Sequence, residues 1–210
     1  MIDLYTWTTP NGRKVSILLE ELGVPYTVHA IDITKDEQFD PEFLKIAPNN
    51  RIPAIVDRET GIQLMETGAI MLYLAEKHDR YLCKGNAKWE MMEWLMWQMG
   101  GLGPMLGQAH HFLKYNAGVS DYAEERYAKE AARLYRVLNT RLTNRDYVAG
   151  EERGSYSIAD MAIWPWVSRY EWQQIDLNTY PAVQTWYERI KRRPAIKRGY
   201  DVPHYAADIP

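Results

Sequence analysis

The chain has 210 residues, a net charge of −3 and a hydrophobic content of 46%, which is ordinary for a globular protein with one large or two small domains. This acidic balance argues against a nucleic-acid partner, and no apolar run approaches the roughly 20 residues of a membrane span. The single cysteine, Cys83, excludes an intramolecular disulfide framework and is typical of a reducing compartment. Because the N-terminus predicts a strand and lacks the features of a signal peptide, we expect a cytoplasmic protein.

The first eighty residues alternate between strand and helix patterns. Apolar residues recur at helical spacing after Pro10, and Glu59-Thr60-Gly61 is a hairpin signal between two short strands. The predicted elements are a strand at Ile2–Thr6, a helix from Pro10 to Gly23, a strand at Tyr26–Ile31, a short helical or irregular piece at Phe39–Ile46, strands at Pro53–Val56 and Ile62–Met65, and a helix that Thr67 caps and that runs to about Lys77.

From about Trp89 onward the pattern is helical only. One predicted apolar face contains Met92, Leu95, Met96 and Met99, and a second contains Leu134, Val137, Leu138 and Leu142. The glycines and proline of residues 100–104 are expected to kink or end the first long helix. We therefore predict an α/β domain with a mixed sheet at residues 1–80, an all-helical domain at residues 88–202, and a tail at residues 203–210.

Two neighbouring features of the first domain predict a ligand site. Ile52-Pro53 at the start of a strand is a good place for a cis peptide bond, which would turn the backbone N–H and C=O of Ile52 outward. Glu66-Thr67 places a carboxylate and a hydroxyl at a helix N-terminus, which favours anions. A short peptide that carries an ammonium and a carboxylate, such as glutathione, fits this combination.

The chain resembles the cytosolic glutathione transferases over nearly its whole length. The resemblance rests on Ile52-Pro53, on Glu66-Thr67 and on the run from Ser157 to Asp160, and it implies a thioredoxin-like N-terminal domain (βαβαββα) followed by an all-helical domain. Thr9 to Gly12, Pro48 to Pro53 and Trp97 to Met105 are similar to the bacterial Nu class, whose members reduce disulfides with glutathione. Independently of the family, Ser157 and Asp160 can form a capping box, so we assign both a structural role.

The loop after the first strand, residues 6–11, contains no cysteine, so it cannot form a mixed disulfide with glutathione. It does offer the Thr9 hydroxyl and the Asn11 amide near a helix N-terminus. Donors of this kind favour a thiolate over a thiol. The alternative is that both residues merely cap the following helix. The resemblance implies that they lie at the glutathione sulfur and are catalytic.

The resemblance also implies the residues that hold glutathione. Arg51, Ile52 and Pro53 would bind glutathione, with the Ile52 backbone paired to the cysteinyl unit. Glu66 would bind the γ-glutamyl ammonium, and Thr67 would bind the γ-glutamyl carboxylate. Gln38 would contact the glycyl end, although from its neighbours alone it would be a solvated loop residue. Arg126 aligns with an arginine of the Nu class that reaches the ligand from the partner subunit of a homodimer, and the forked donors of arginine suit carboxylates.

Other features favour structural roles. His110-His111 are adjacent on a helix and lack accompanying cysteines or acids, which favours packing over a metal site, and we expect no metal. The basic run from Arg189 to Arg198 is typical of a helix C-terminus before Pro194. Cys83 is far in sequence from the Thr9 loop, and a catalytic role for it is disfavoured.

The sequence predicts glutathione-dependent reduction of small disulfides, with organic hydroperoxide reduction as a side activity. Glutathione, glutathione disulfide and a small disulfide or electrophile would be its partners, without nucleic acid or membrane. One alternative is a conventional transferase that conjugates glutathione to electrophiles. Another is a non-catalytic binding or regulatory module of the same fold.

Overall fold

Four strands and nine α-helices make up the computed structural model, which describes residues 1–210. The strands are β1 (Ile2–Thr6), β2 (Tyr26–Ala30), β3 (Ala54–Asp57) and β4 (Gln63–Met65). The helices are α1 (Pro10–Leu22), α2 (Pro41–Ile46), α3 (Thr67–Lys77), α4 (Ala87–Trp97), α5 (Gly103–His110), α6 (Asp121–Leu142), α7 (Ile158–Val167), α8 (Pro181–Lys191) and α9 (Pro194–Tyr200). The chain divides into two units, one of residues 1–80 and 192–209 and one of residues 81–191 and 210.

The first unit is built on a mixed sheet with the strand order β2-β1-β3-β4. β1 pairs with β2 in parallel, and the pairs β1–β3 and β3–β4 are antiparallel. Leu4 and Ile55 face each other across the central pair, and both side chains are fully buried. The mixed sheet predicted from the alternation of strand and helix is therefore confirmed, and so is the thioredoxin-like domain that the resemblance implies.

Helix α1 follows β1 closely and has defined ends. Thr9 is its N-cap, and Gly23 ends it in the left-handed conformation with φ of 68°, which glycine adopts without strain. Val15, Leu18 and Leu19 are fully buried, as their helical spacing predicts. The position of α1 fixes the two predicted catalytic residues, since Thr9 is its N-cap and Asn11 lies in its first turn.

Helix α9 packs against α1 and so belongs to the first unit. The Arg13 guanidinium lies 3.5 Å from the centre of the Tyr200 ring, and its Nε donates to the Tyr200 carbonyl at 3.1 Å. A Cβ on Gly199 would lie 2.6 Å from the Cα of Ile17, so glycine is needed for this approach. The sequence predicted residues 192–202 as part of the helical domain, whereas the structure joins them to the sheet-containing unit through these contacts.

Helices α4 to α8 form the second unit. Leu134, Leu138 and Leu142 of α6 are buried as predicted. The predicted face of α4 is correct at Leu95, which is fully buried, but wrong at Met96, which is 48% exposed. Met91, which was not predicted, is also fully buried. The methionines and tryptophans of α4 are distributed around all of its faces, so its sequence does not distinguish a buried face from an exposed one.

Gln98–Leu102 form a π-helical turn between α4 and α5. The sequence predicts that the glycines there kink or end the helix. They do not end it, since α5 starts directly at Gly103. A Cβ on Gly103 would lie 2.4 Å from Nε2 of Gln98. Gly103 therefore allows close packing inside a continuing helix, whereas a Cβ on Gly100 or Gly101 would meet no atom within 4 Å. None of the helices is both long enough and apolar enough to cross a membrane.

A capping box begins α7, with Ser157 and Asp160 in the two positions. The backbone N–H of Ser157 donates to the Asp160 carboxylate at 3.1 Å, and Val148 N and Trp186 Nε1 donate to its other oxygen at 3.0 and 2.9 Å. Burial raises the pKa of Asp160 to about 6 although these donors oppose the rise. Asp160 thus ties α7 to α8 and to the loop before α7.

Candidate functional site

A cleft of about 250 Å³ opens on the first unit where α1, the loop before β3 and the start of α3 meet. Each element contributes side chains from its N-terminal end or from the residues just before it. The lining residues are Asn11, Asn49, Arg51, Ile52, Pro53, Met65, Glu66 and Thr67. Six of these eight were predicted as site residues from the sequence.

The Ile52-Pro53 peptide bond is cis, as the sequence predicted. Pro53 is buried, Ile52 is half-buried and Arg51 is exposed. This side of the cleft therefore combines main-chain groups that enter β3 with an exposed cation, the Arg51 guanidinium, at its rim.

Glu66 has a backbone φ of 72° and occupies the N-cap position of α3. A left-handed conformation is uncommon for a residue with a Cβ and is concentrated at functional sites. Thr67, which the sequence predicted as the cap, is instead the first helical residue, and no side chain caps this helix end. The amides of the first turn of α3 are therefore available to an anion in the cleft.

The Thr9 loop has a tightly fixed geometry. The N–H of Gly12 donates to Oγ1 of Thr9 at 3.1 Å, so Thr9 does cap α1. A Cβ on Gly12 would lie 2.2 Å from the Trp7 carbonyl oxygen, which explains the glycine. Since a hydroxyl has one donor and two acceptor positions, Thr9 can still donate its proton elsewhere. Asn11 lines the cleft, whereas Thr9 lies two residues earlier and is half-buried.

Gln38 and Arg126 lie outside the lining of this cleft. Gln38 is in a short 3₁₀ turn of the first unit and is only 8% exposed, and its Oε1 has no hydrogen-bond partner within the chain. It is therefore not a solvated loop residue. Arg126 is exposed on α6 of the second unit, where it lines a surface cavity with Tyr122, Arg133 and other α6 residues.

Sequence reasoning missed three residues at the cleft. Asn49 and Met65 stand beside predicted residues and could have been included from their positions alone. Lys14 was missed because a lysine in a helix is ordinarily solvated. Its side chain is 2% exposed, and its Nζ donates to Oγ1 of Thr67 at 3.4 Å. The signal available was spacing, because Lys14 follows Asn11 by three residues and shares its helix face.

The remaining reactive side chains lack the features of a catalytic centre. Burial raises the pKa of the Cys83 thiol, which disfavours its nucleophilic form. Burial lowers the pKa of His110 to about 4, and its Nε2 accepts a hydrogen bond from Nε2 of Gln173 at 2.9 Å. His111 is exposed, so the two histidines point apart. No group of three or more His, Cys, Asp and Glu side chains is arranged to hold a metal ion.

Comparisons with known proteins assign this chain to a family. The model of the glutathione S-transferase N-terminal domain matches residues 1–76, and that of the C-terminal domain matches residues 104–194. The disulfide-bond oxidoreductase YfcG of Escherichia coli is 51% identical over 201 residues, which cover 93% of this chain and 92% of YfcG. The disulfide-bond oxidoreductase YghU of the same organism is 40% identical over 215 residues, covering 94% of this chain and 73% of YghU.

Solved structures agree with these matches. A glutathione transferase from Pseudomonas putida, with one glutathione disulfide bound per subunit, matches with a TM-score of 0.90 and 39% identity, covering 96% of this chain and 91% of the other. A glutathione transferase from Burkholderia graminis, with two glutathione molecules bound per subunit, matches with a TM-score of 0.89 and 39% identity. The match covers 96% of this chain and 88% of the other. This chain therefore belongs to the glutathione S-transferase family.

Proposed function

We propose that this protein reduces small disulfides with glutathione and keeps all redox chemistry on the glutathione sulfur. The observation that carries the proposal is the cleft that joins Asn11 to Ile52, Glu66 and Thr67. The names of the two Escherichia coli relatives and the ligands bound in the two solved structures support it. The same resemblance supports a Nu-class enzyme that is cytoplasmic and homodimeric.

In this proposal glutathione binds as an added strand segment. The main chain of Ile52 pairs with the cysteinyl unit, which suits strand-like peptide recognition. The Glu66 carboxylate binds the γ-glutamyl ammonium, and Thr67 with the open N-terminus of α3 binds the γ-glutamyl carboxylate. Arg51 lies at the rim. The buried and unpartnered Oε1 of Gln38 supports a hydrogen bond from an N–H near the glycyl end, and Arg126 of a second copy would add a cation.

The chemistry is thiol–disulfide exchange in two steps. Thr9 and Asn11 donate hydrogen bonds to the glutathione thiolate, which attacks one sulfur of the substrate disulfide and releases the other as a thiolate. A second glutathione thiolate then attacks the glutathione sulfur of the mixed disulfide and releases the second substrate thiol. Two glutathione molecules are thus oxidised to glutathione disulfide, and one disulfide is reduced to two thiols.

No cysteine of the protein is needed for this sequence of steps. Residues 6–11 contain none, and Cys83 is buried with a raised pKa. A thiolate supplied by the co-substrate needs only stabilisation and an open line of approach. The same thiolate supports reduction of organic hydroperoxides as a side activity.

The decisive assay couples a small disulfide and glutathione to a glutathione-recycling reductase. We expect turnover by the wild type and a loss of at least about tenfold in the Thr9→Ala/Asn11→Ala double variant, because each donor to an anion contributes about 1.5–3 kcal/mol. Thermal unfolding of both proteins controls for loss of the helix cap. Equal turnover by the two proteins would contradict the mechanism.

Conjugation of glutathione to electrophiles is the second candidate, and the family name of the matching models supports it. It needs the same bound thiolate but a different second substrate. A high rate with an aryl halide and none with disulfides would favour conjugation. Calorimetry that detects no glutathione binding would instead favour a non-catalytic module.

A further inference from the structure

Lys14 is a buried cation beside the cleft that has no part in the chemistry described so far. It lies in the second turn of α1, and its side chain is 2% exposed. Burying an ammonium costs free energy unless it is compensated by partners, so a lysine here calls for a structural or functional reason. Its neighbours at the cleft identify that reason.

The first neighbour is Thr67. Nζ of Lys14 donates to Oγ1 of Thr67 at 3.4 Å, and Thr67 is itself 7% exposed and lines the cleft. A hydroxyl that accepts from an ammonium keeps its own proton for another acceptor. Chains of hydrogen bonds polarise one another in a medium of low dielectric constant. Lys14 therefore orients the Thr67 hydroxyl as a donor and strengthens it.

The second neighbour is Glu66. Burial lowers the pKa of Lys14 to about 7, and the Glu66 carboxylate opposes this fall. Glu66 also has the left-handed backbone conformation that directs the chain into α3. Lys14 thus contacts Thr67 directly and is within electrostatic reach of Glu66 at the start of α3. This is the part of the cleft suited to a ligand carrying an ammonium and a carboxylate.

We propose that Lys14 is a positioning residue for glutathione. Its ammonium orients Thr67 and offsets the negative charge of the γ-glutamyl carboxylate, which would otherwise lie close to the carboxylate of Glu66. This inference rests on the proposed function, because it assigns the glutamyl end of glutathione to this part of the cleft. It predicts that Lys14 governs affinity for that end of the ligand and leaves the step at sulfur unchanged.

The test compares two ligands on three proteins by calorimetry. The ligands are glutathione and γ-aminobutyryl-cysteinylglycine, which lacks only the γ-glutamyl carboxylate. The proteins are the wild type, Lys14→Met, and the control Lys35→Met, whose lysine is exposed and paired with Asp32 at 3.1 Å. Methionine is similar in length to lysine and suits a buried position. Lys14→Gln, which removes the charge but keeps a hydrogen-bond donor, provides the same comparison if Lys14→Met does not fold.

We expect Lys14→Met to raise the Kd for glutathione by about tenfold, as for loss of a charge-assisted interaction, and to change the Kd for the analogue by less than about twofold. The kcat at saturating glutathione should stay near that of the wild type, and Lys35→Met should match the wild type with both ligands. Equal losses with both ligands, or none with either, would overturn the role of Lys14 while leaving the proposed function intact. A wild type that does not bind glutathione would overturn both.

Discussion

The proposed function gives Thr9 a second task besides its observed role as a helix cap, and one set of substitutions can tell the two apart. Its Oγ1 accepts the Gly12 N–H at 3.1 Å as the N-cap of α1, and its proton is left to stabilise a glutathione thiolate. Thr9→Val removes both functions at nearly constant volume. Thr9→Ser retains both, and Thr9→Asp retains a good cap acceptor but offers no proton when it is ionised.

The expected magnitudes follow from these contacts. Loss of the cap costs about 0.5–2 kcal/mol of folding free energy. Loss of one donor to an anion costs about 1.5–3 kcal/mol, and since one pKa unit is 1.36 kcal/mol, the pKa of the bound glutathione thiol should rise by about one to two units. Thr9→Val should show both effects, Thr9→Asp only the second, and Thr9→Ser neither.

Two measurements on each variant check this. Urea denaturation gives the folding free energy, and ultraviolet absorbance of the thiolate, followed against pH with glutathione bound, gives the thiol pKa. Turnover with a small disulfide should fall in proportion to the thiolate fraction near neutral pH. If Thr9→Asp keeps both the wild-type thiol pKa and the wild-type rate, Thr9 is only a helix cap and the mechanism above is refuted.

Three further predictions concern separate parts of the chain. Calorimetry should show that Glu66→Gln weakens the binding of glutathione by about tenfold and leaves the binding of deamino-glutathione unchanged. Equal effects on the two ligands would show that Glu66 does not bind the ammonium. Because the pKa of His110 is lowered to about 4 in the folded protein, the unfolded chain binds a proton there more readily, and the free energy of unfolding should fall by about 2 kcal/mol as the pH falls from about 8 to 5. In His110→Gln, urea denaturation at several pH values should show a smaller dependence of the unfolding free energy on pH. The same pH dependence in both proteins would contradict this prediction. Asp160→Asn should lower the unfolding free energy by about 2–4 kcal/mol, because buried donors lose their acceptor; an unchanged urea midpoint would contradict this.

The local features of the cleft were predictable from sequence because each depends on a few adjacent residues. Ile52-Pro53 and the Pro10-Asn11-Gly12 helix start are local signals, and the structure has both. The position of Thr67 was predicted wrongly by one residue, because the left-handed Glu66 takes the N-cap place. The residues preferred at helix N-caps suit an extended backbone, and Glu66, the N-cap of α3, does not have one.

What the sequence could not predict depends on contacts between distant residues. The Lys14 Nζ and the Thr67 hydroxyl are separated by 53 positions, and the Arg13 side chain and Tyr200 carbonyl by 187. Helical periodicity ranks residues as buried or exposed by their polarity, so it assigns a lysine or an arginine to solvent. Both lie on α1 with less than 3% of the side chain exposed, and only the tertiary structure reveals them.

The packing of α9 on α1 has a consequence for the order in which the protein is made. Domains generally fold as units, the N-terminal one first, as the chain emerges from the ribosome. Here the surface of α1 that bears Arg13 and Ile17 is covered only when Gly199 and Tyr200 arrive. A nascent chain therefore contains the whole helical unit before the first unit can be completed, and α1 and α9 finish folding together.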